Sequence, residues 1–151
     1  VQIVLTVDDE DENVVSAQAR SLLEFVVLQN RWFMHVRGAS IPPLYQSGVR
    51  FRMQPWAARV QHFATCVQVL QRGWSDCGPL GAWRVAEVQE AAIASGHPEL
   101  VKDIGLHIYC RIRDRDALHA GLGDRSKIRI FHVQVIHPNG AIEDPSRLLH
   151  Q

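Results

Sequence analysis

Residues 127–146 read KIRIFHVQVIHPNGAIEDPS, and the turn at their centre decides how the end of the chain folds. Lys127 to His137 is rich in β-branched and alternating apolar residues and predicts a strand, and Ala141 to Asp144 predicts a short returning strand. Pro138 and Asn139 suit the two right-handed positions of a type I turn, and Gly140 suits the left-handed position that follows. In the resulting three-residue loop His137 faces Ala141, Gln134 faces Asp144 and His132 faces Ser146. His132 and Asp144 then lie on one sheet face as diagonal neighbours. A two-residue Asn-Gly turn would instead pair Val135 with Asp144 and put that carboxylate on the opposite face, so the turn type decides whether the two side chains meet.

Upstream of this hairpin, Leu106, Ile108, Cys110 and Ile112 alternate with His107, Tyr109, Arg111 and Arg113, the signature of a further strand, with Asp114 to Ser126 as a connection. The chain opens on VQIVLTV (1–7), read as a short strand, and the acidic run Asp8 to Glu12, read as a solvated turn. Val15, Ala19, Leu22, Leu23, Val26 and Val27 then recur at helical spacing within 14–28, with Asp11 or Asn13 as cap. The segment 30–56 combines Gly38, Pro42, Pro43, Gly48 and Pro55 with several aromatics and predicts a long loop. Residues 57–71, with Val60, Phe63, Ala64, Val67 and Leu70 on one face and Gly73 beyond, predict a second helix. A third helix is expected to begin at or beside Cys77, with Pro79 in its first turn, and to run until Ser95 and Gly96. Helices followed by an antiparallel sheet make an α+β arrangement, expected as one domain over residues 1–151.

Sixteen basic against sixteen acidic residues leave no net charge, so neither sequence-specific nucleic acid nor an anionic membrane is expected as a partner. No signal peptide or transmembrane segment is expected. Cys66, Cys77 and Cys110 are three cysteines with no close pair, which disfavours a disulfide framework and a structural zinc site. The histidines show no HExxH spacing, and there is no P-loop, dinucleotide fingerprint or GxSxG elbow. Neither metal nor cofactor is expected.

The chemistry concentrates in three residues. A thiol at a helix start, as expected for Cys77, feels the positive end of the helix dipole, which favours thiolate and nucleophilicity. Asp76 beside it would act the other way unless its carboxylate caps the helix. His132 supplies a general base and Asp144 a group to orient it, the set required for acyl transfer through a thioester. The plainer alternatives are a small buried hydrophobe at 77, a core histidine at 132 and a turn-capping aspartate at 144. Arg111, Arg113, Arg129 and Arg147 suggest a basic stripe on the sheet, with Asp114, Asp116 and Glu143 near them in sequence favouring an ordinary solvated face.

Cys77 in RGWSDCGPLGAW, His132 in FHVQV and Asp144 in EDPS together resemble the transglutaminase-like branch of the papain-type cysteine fold, over roughly residues 57–147. The resemblance implies a papain-like core in which the cysteine opens a helix, the histidine lies on a following strand and the aspartate stands in an Asp-Pro motif. It implies a peptidase, amidase or acyltransferase acting on a peptide or amide, or a copy that keeps the fold as a scaffold. Gly78 departs from it, since an aromatic often follows the family's cysteine. Trp74, three residues before Cys77, is a candidate to line a substrate cleft, with core packing as its alternative. IPPLYQSGVRFRMQP and RGWSDCGPLGAWRVAEV are similar to small proteins encoded among tailed-bacteriophage structural genes. This implies a virion or host-cytoplasm location and other virion proteins as partners, with the loop at 38–56 as an interface element, a lid or a structural strap.

Overall fold

The computed structural model describes residues 3–6, 11–53, 60–114 and 127–149. The first strand, β1 (Ile3–Thr6), precedes a long helix, α1 (Glu12–Arg37), capped by Asp11, whose carboxylate accepts the Asn13 N–H at 2.8 Å. Val15, Ala19, Leu23 and Val26 form its buried face. The helix runs on through what the sequence presented as the start of a loop, because Asn30 continues the buried face as a polar residue. Asn30 is fully buried and its Oδ1 accepts the Cys66 N–H at 2.7 Å. Gly38, at φ 53°, lets the backbone leave the helix.

The remainder of the expected loop is a packed strap as far as Met53: two 3-10 turns, Gly38–Ser40 and Leu44–Gln46, and the short strand β2 (Arg50–Phe51), with Leu44 and Val49 buried. Residues 54–59 lie outside the described part. The expected helix over 57–71 is corrected to a strand, β3 (Val60–Phe63), and a helix, α2 (Cys66–Arg72). Val60 and Phe63 have helical spacing, but β3 pairs antiparallel with β1, Ile3 opposite Phe63, and this distant partner is invisible to a local pattern. A reciprocal cap between Thr65 and Gln68 starts α2 afresh.

Strand β4 (Trp74–Ser75) pairs in parallel with β2 and leads into α3 (Cys77–Ala94), which starts where the sequence placed it. After a 3-10 segment, Pro98–Asp103, come β5 (Gly105–Asp114), β6 (Lys127–Ile136) and β7 (Ile142–Glu143), one antiparallel sheet in that order, and a last turn of helix, α4 (Pro145–Leu148). The side chains of 110–114 and 127–130 and the whole of 115–126 lie outside the described part. Cys110 and the supposed stripe of Arg111, Arg113 and Arg129 fall there, and only Arg147 is placed, exposed to solvent. The architecture is a mixture of helices and small sheets, α+β.

Helix α3 lies between two apolar clusters. Ala82, Val85 and Ala86 join α1, β5 and β6, whereas Leu80 and Trp83 join α2 and the strap. This double burial demands small residues where neighbours come closest. A Cβ on Gly81 would sit 2.7 Å from Val133 Cγ1, and one on Gly78 would sit 3.2 Å from the Phe63 ring. Val133 is a β-branched residue held on a central strand, so it has little freedom to yield. Gly81→Ala is expected to lower stability by about 1–3 kcal/mol through overpacking, measured by urea denaturation. An unchanged midpoint would mean that α3 and β6 are not in this contact.

Candidate active site

The hairpin adopts the three-residue turn. The His137 N–H donates to the Ala141 carbonyl at 2.9 Å, the Gly140 N–H to the His137 carbonyl at 2.8 Å, and Gly140 takes φ 81°. Val135 therefore faces Glu143 and Ile136 faces Ile142, the register that puts Asp144 beside Gln134. His132 Nε2 and Asp144 Oδ2 lie 2.7 Å apart. A carboxylate only accepts, so Nε2 carries the proton and Nδ1 is left as the basic atom of a neutral ring.

Asp144 is held by its own short helix. As the N-cap of α4 it accepts through Oδ1 from the Arg147 N–H at 3.2 Å and from Ser146 Oγ at 2.6 Å. Pro145 occupies the first helical position, where an N–H would have no partner. This is the physical content of the Asp-Pro motif, since one oxygen caps the helix while the other turns to the histidine. Burial alone would raise the Asp144 carboxyl. Hydrogen bonds from Ser146, His132 and Arg147 outweigh it and hold the carboxyl below its usual range.

The adjoining Glu143 is anchored more heavily. It accepts from Arg84 Nε at 2.6 Å, from the Tyr45 hydroxyl and, at 2.7 Å, from His137 Nε2. Arg84 also meets Glu87 at 3.2 Å and lies over the Tyr45 ring. Strap, α3 and hairpin thus converge on one carboxylate next to Asp144. Sequence reading missed this network, because Tyr45, Arg84 and Glu143 are far apart in the chain and belong to no local motif.

Cys77 is the first residue of α3, as expected, and its side chain reaches the part of β6 that β7 leaves uncovered. Its thiol donates to the Phe131 carbonyl, with sulfur and oxygen 3.5 Å apart, and the Val133 N–H is near enough to favour the thiolate slightly. Those two contacts flank His132. The expected thiolate character is corrected. Burial, then the charge of Asp76, push the thiol up to about 12, against the smaller opposing effect of the Val133 N–H. Asp76 is buried and its side chain does not cap the helix, so the helix dipole is outweighed at its own terminus.

Trp74 stands on β4 just ahead of the cysteine, with the Arg72 and Arg52 guanidiniums 4.4 and 5.3 Å from its ring centre. The protein's own arginines cover the indole. On the sheet, Tyr109 lies opposite His132 in the strand pairing, with ring centres 5.4 Å apart. The β5 alternation placed Tyr109 and His107 on one face, but nothing local tied them to His132. Among the described residues no three His, Cys, Asp or Glu side chains gather as metal ligands, and no helix is long and apolar enough to cross a membrane. No family model, curated protein or solved structure matches the chain.

The raised thiol has a consequence for stability. An unfolded cysteine ionises at about 8.5, whereas the half-buried Cys77 stays neutral in the fold to about 12 and the buried Cys66 to about 11. Their contribution is complete below about pH 8.5 and is lost as pH rises towards the folded values. Asp144, depressed in the fold, contributes above its ordinary range near pH 4 and loses that contribution as pH falls further. Urea midpoints between pH 7 and 10.5 are expected to fall, and to fall less steeply in Cys77→Ala. Equal slopes would contradict the neutral thiol.

Proposed function

We propose that the chain is a cysteine-dependent acyl-transfer domain with a papain-like, transglutaminase-like core, acting as a peptidase, amidase or amine transferase on a peptide or amide. The observation that carries this reading is the 2.7 Å His132–Asp144 hydrogen bond, with the Cys77 thiol seated on the β6 backbone on either side of His132. The order cysteine, histidine, aspartate-proline agrees with the family the sequence resembles.

Because the thiol rests neutral, the reaction begins with proton transfer. His132 Nδ1 takes the Cys77 proton as sulfur bonds to the substrate carbonyl carbon, and the carbonyl electron pair moves to oxygen. Asp144 stabilises the imidazolium that forms. The Gly78 N–H in the first turn of α3 offers a donor to the oxyanion, whereas Pro79 has none to give. Collapse breaks the carbon–nitrogen bond, and the leaving amine takes the proton from His132. The thioester then passes to water or to a second amine, with His132 as base again.

A second reading, a structural protein of a tailed-phage particle that keeps the fold without the chemistry, draws support from two features. One is the half-buried thiol, raised by desolvation and the nearby Asp76. The other is the outward face of α1, where Phe25, Leu28, Trp32 and Val36 are 48%, 60%, 59% and 61% exposed, an apolar stripe of the kind that meets a neighbouring protein. The two readings are compatible in one virion-associated molecule.

The test is release of ammonia, or incorporation of a fluorescent primary amine, from a glutamine peptide library. Acyl transfer is expected in the parent protein, with a loss of at least about 100-fold in Cys77→Ala and in His132→Ala. No turnover by the parent, or turnover that survives Cys77→Ala, would overturn the enzymatic reading and leave the structural one.

A further inference from the structure

The outer face of the sheet carries a polar chain that neither reading uses. His107 Nδ1 lies 3.1 Å from Gln134 Oε1, and Gln134 Nε2 lies 3.4 Å from Asp144 Oδ2, the oxygen that also accepts from His132. His107 and Gln134 are directly opposed in the pairing of β5 with β6. Tyr109, next on the same face, stands between the two histidines, with ring centres 5.9 Å from His107 and 5.4 Å from His132.

Donor and acceptor logic gives this chain a direction. Asp144 accepts only, so the Gln134 amide must present its NH2 group there and turn Oε1 to His107. His107 must then carry a proton on Nδ1. The sequence of bonds is His107 Nδ1–H to Gln134 Oε1, Gln134 Nε2–H to Asp144 Oδ2, and His132 Nε2–H to that same oxygen. His107 orients the Gln134 amide, and Gln134 shares with His132 the oxygen that sets the ring's Nε2–H form.

From this geometry we infer that His107 and Gln134 are positioning residues for the base, holding Asp144 Oδ2 as an acceptor shared with His132 Nε2, so that the ring is oriented with Nδ1 turned away from the carboxylate. The inference rests on the acyl-transfer reading for its purpose, though the hydrogen-bonded chain itself does not. Sharing is the important point. A second donor on Oδ2 draws off part of the negative charge seen by His132 and weakens its hold on a second proton. Without Gln134 the pair of His132 and Asp144 would tighten and favour imidazolium, a poorer acceptor for the Cys77 proton. Among the described residues, the titratable groups against the ring are Tyr109 on β5 and Asp144 itself, with His107 beyond Tyr109. Neither Tyr109 nor Asp144 is itself substituted by the changes at 107 and 134.

The experiment is nitrogen-15 NMR of the His132 ring, followed by pH titration, in the parent protein and in Gln134→Met, His107→Phe and His107→Gln. The parent is expected to show the Nε2–H form. Gln134→Met is expected to raise the His132 midpoint by about half a unit, and His107→Phe to shift it in the same direction by less, because the amide loses its orientation. His107→Gln, which restores a donor to Oε1, is expected to return the midpoint towards the parent. A merely structural role would not give shifts of one sign with rescue. Unchanged tautomer and midpoint in both Gln134→Met and His107→Phe, in samples that remain folded, would overturn the inference. Because the readout is the ring and not turnover, the shifts stand even if Cys77 proves inert. Conversely, an active enzyme with no shifts would remove the positioning role alone.

Discussion

The close approach of α3 to β6 sets the position of everything that matters in the site. Gly81 leaves Val133 the space that a methyl group would take, and the helix can then settle between two apolar clusters. Its first residue reaches the uncovered part of β6, and its third turn carries Arg84 to Glu143. A helix buried on two sides has little freedom to rotate or slide, because each cluster sets its register against the other. The cysteine and the histidine strand are therefore placed by packing, and the hydrogen bonds refine what packing has fixed.

The aspartate is governed by hydrogen bonding. Asp144 uses Oδ1 for the helix it caps and the Ser146 hydroxyl, and Oδ2 for His132 and Gln134. Four donors leave it no reason to protonate or swing away, and Glu143, held from three elements, fixes the backbone beside it. The cysteine is the opposite case. Its surroundings favour the neutral thiol, so in the proposed acyl transfer ionisation would accompany attack, in the manner of a hydroxyl nucleophile.

Much of this was legible in the sequence because it is local. Pro138, Asn139 and Gly140 determine one turn geometry, the turn determines the register, and the register brings Asp144 to His132. Asp144 and Pro145 announce a helix start, and Cys77 with Pro79 announces another. What escaped was non-local or polar where an apolar residue was expected. Asn30 sits on a buried helix face because it caps a different helix, and a polar residue there breaks the apolar pattern before α1 ends. Val60 and Phe63 pair with β1, a partner nearly the length of α1 and the strap away along the chain, so their spacing mimicked a helix. The ionisation of Cys77 depended on where the Asp76 carboxylate points, and only the fold decides that. Gly78, a departure from the pattern of the family the sequence resembles, has a packing reason in the Phe63 ring.

The most direct test of the triad is a crystal structure of the protein after reaction of Cys77 with a peptide chloromethyl ketone. The arrangement requires a covalent bond at Cys77 Sγ, with His132 Nδ1 turned to the adduct within about 3 Å of sulfur or oxygen while Nε2 keeps its hydrogen bond to Asp144. An unmodified Cys77, or an adduct from which the His132 ring is turned away with its bond to Asp144 broken, would contradict it.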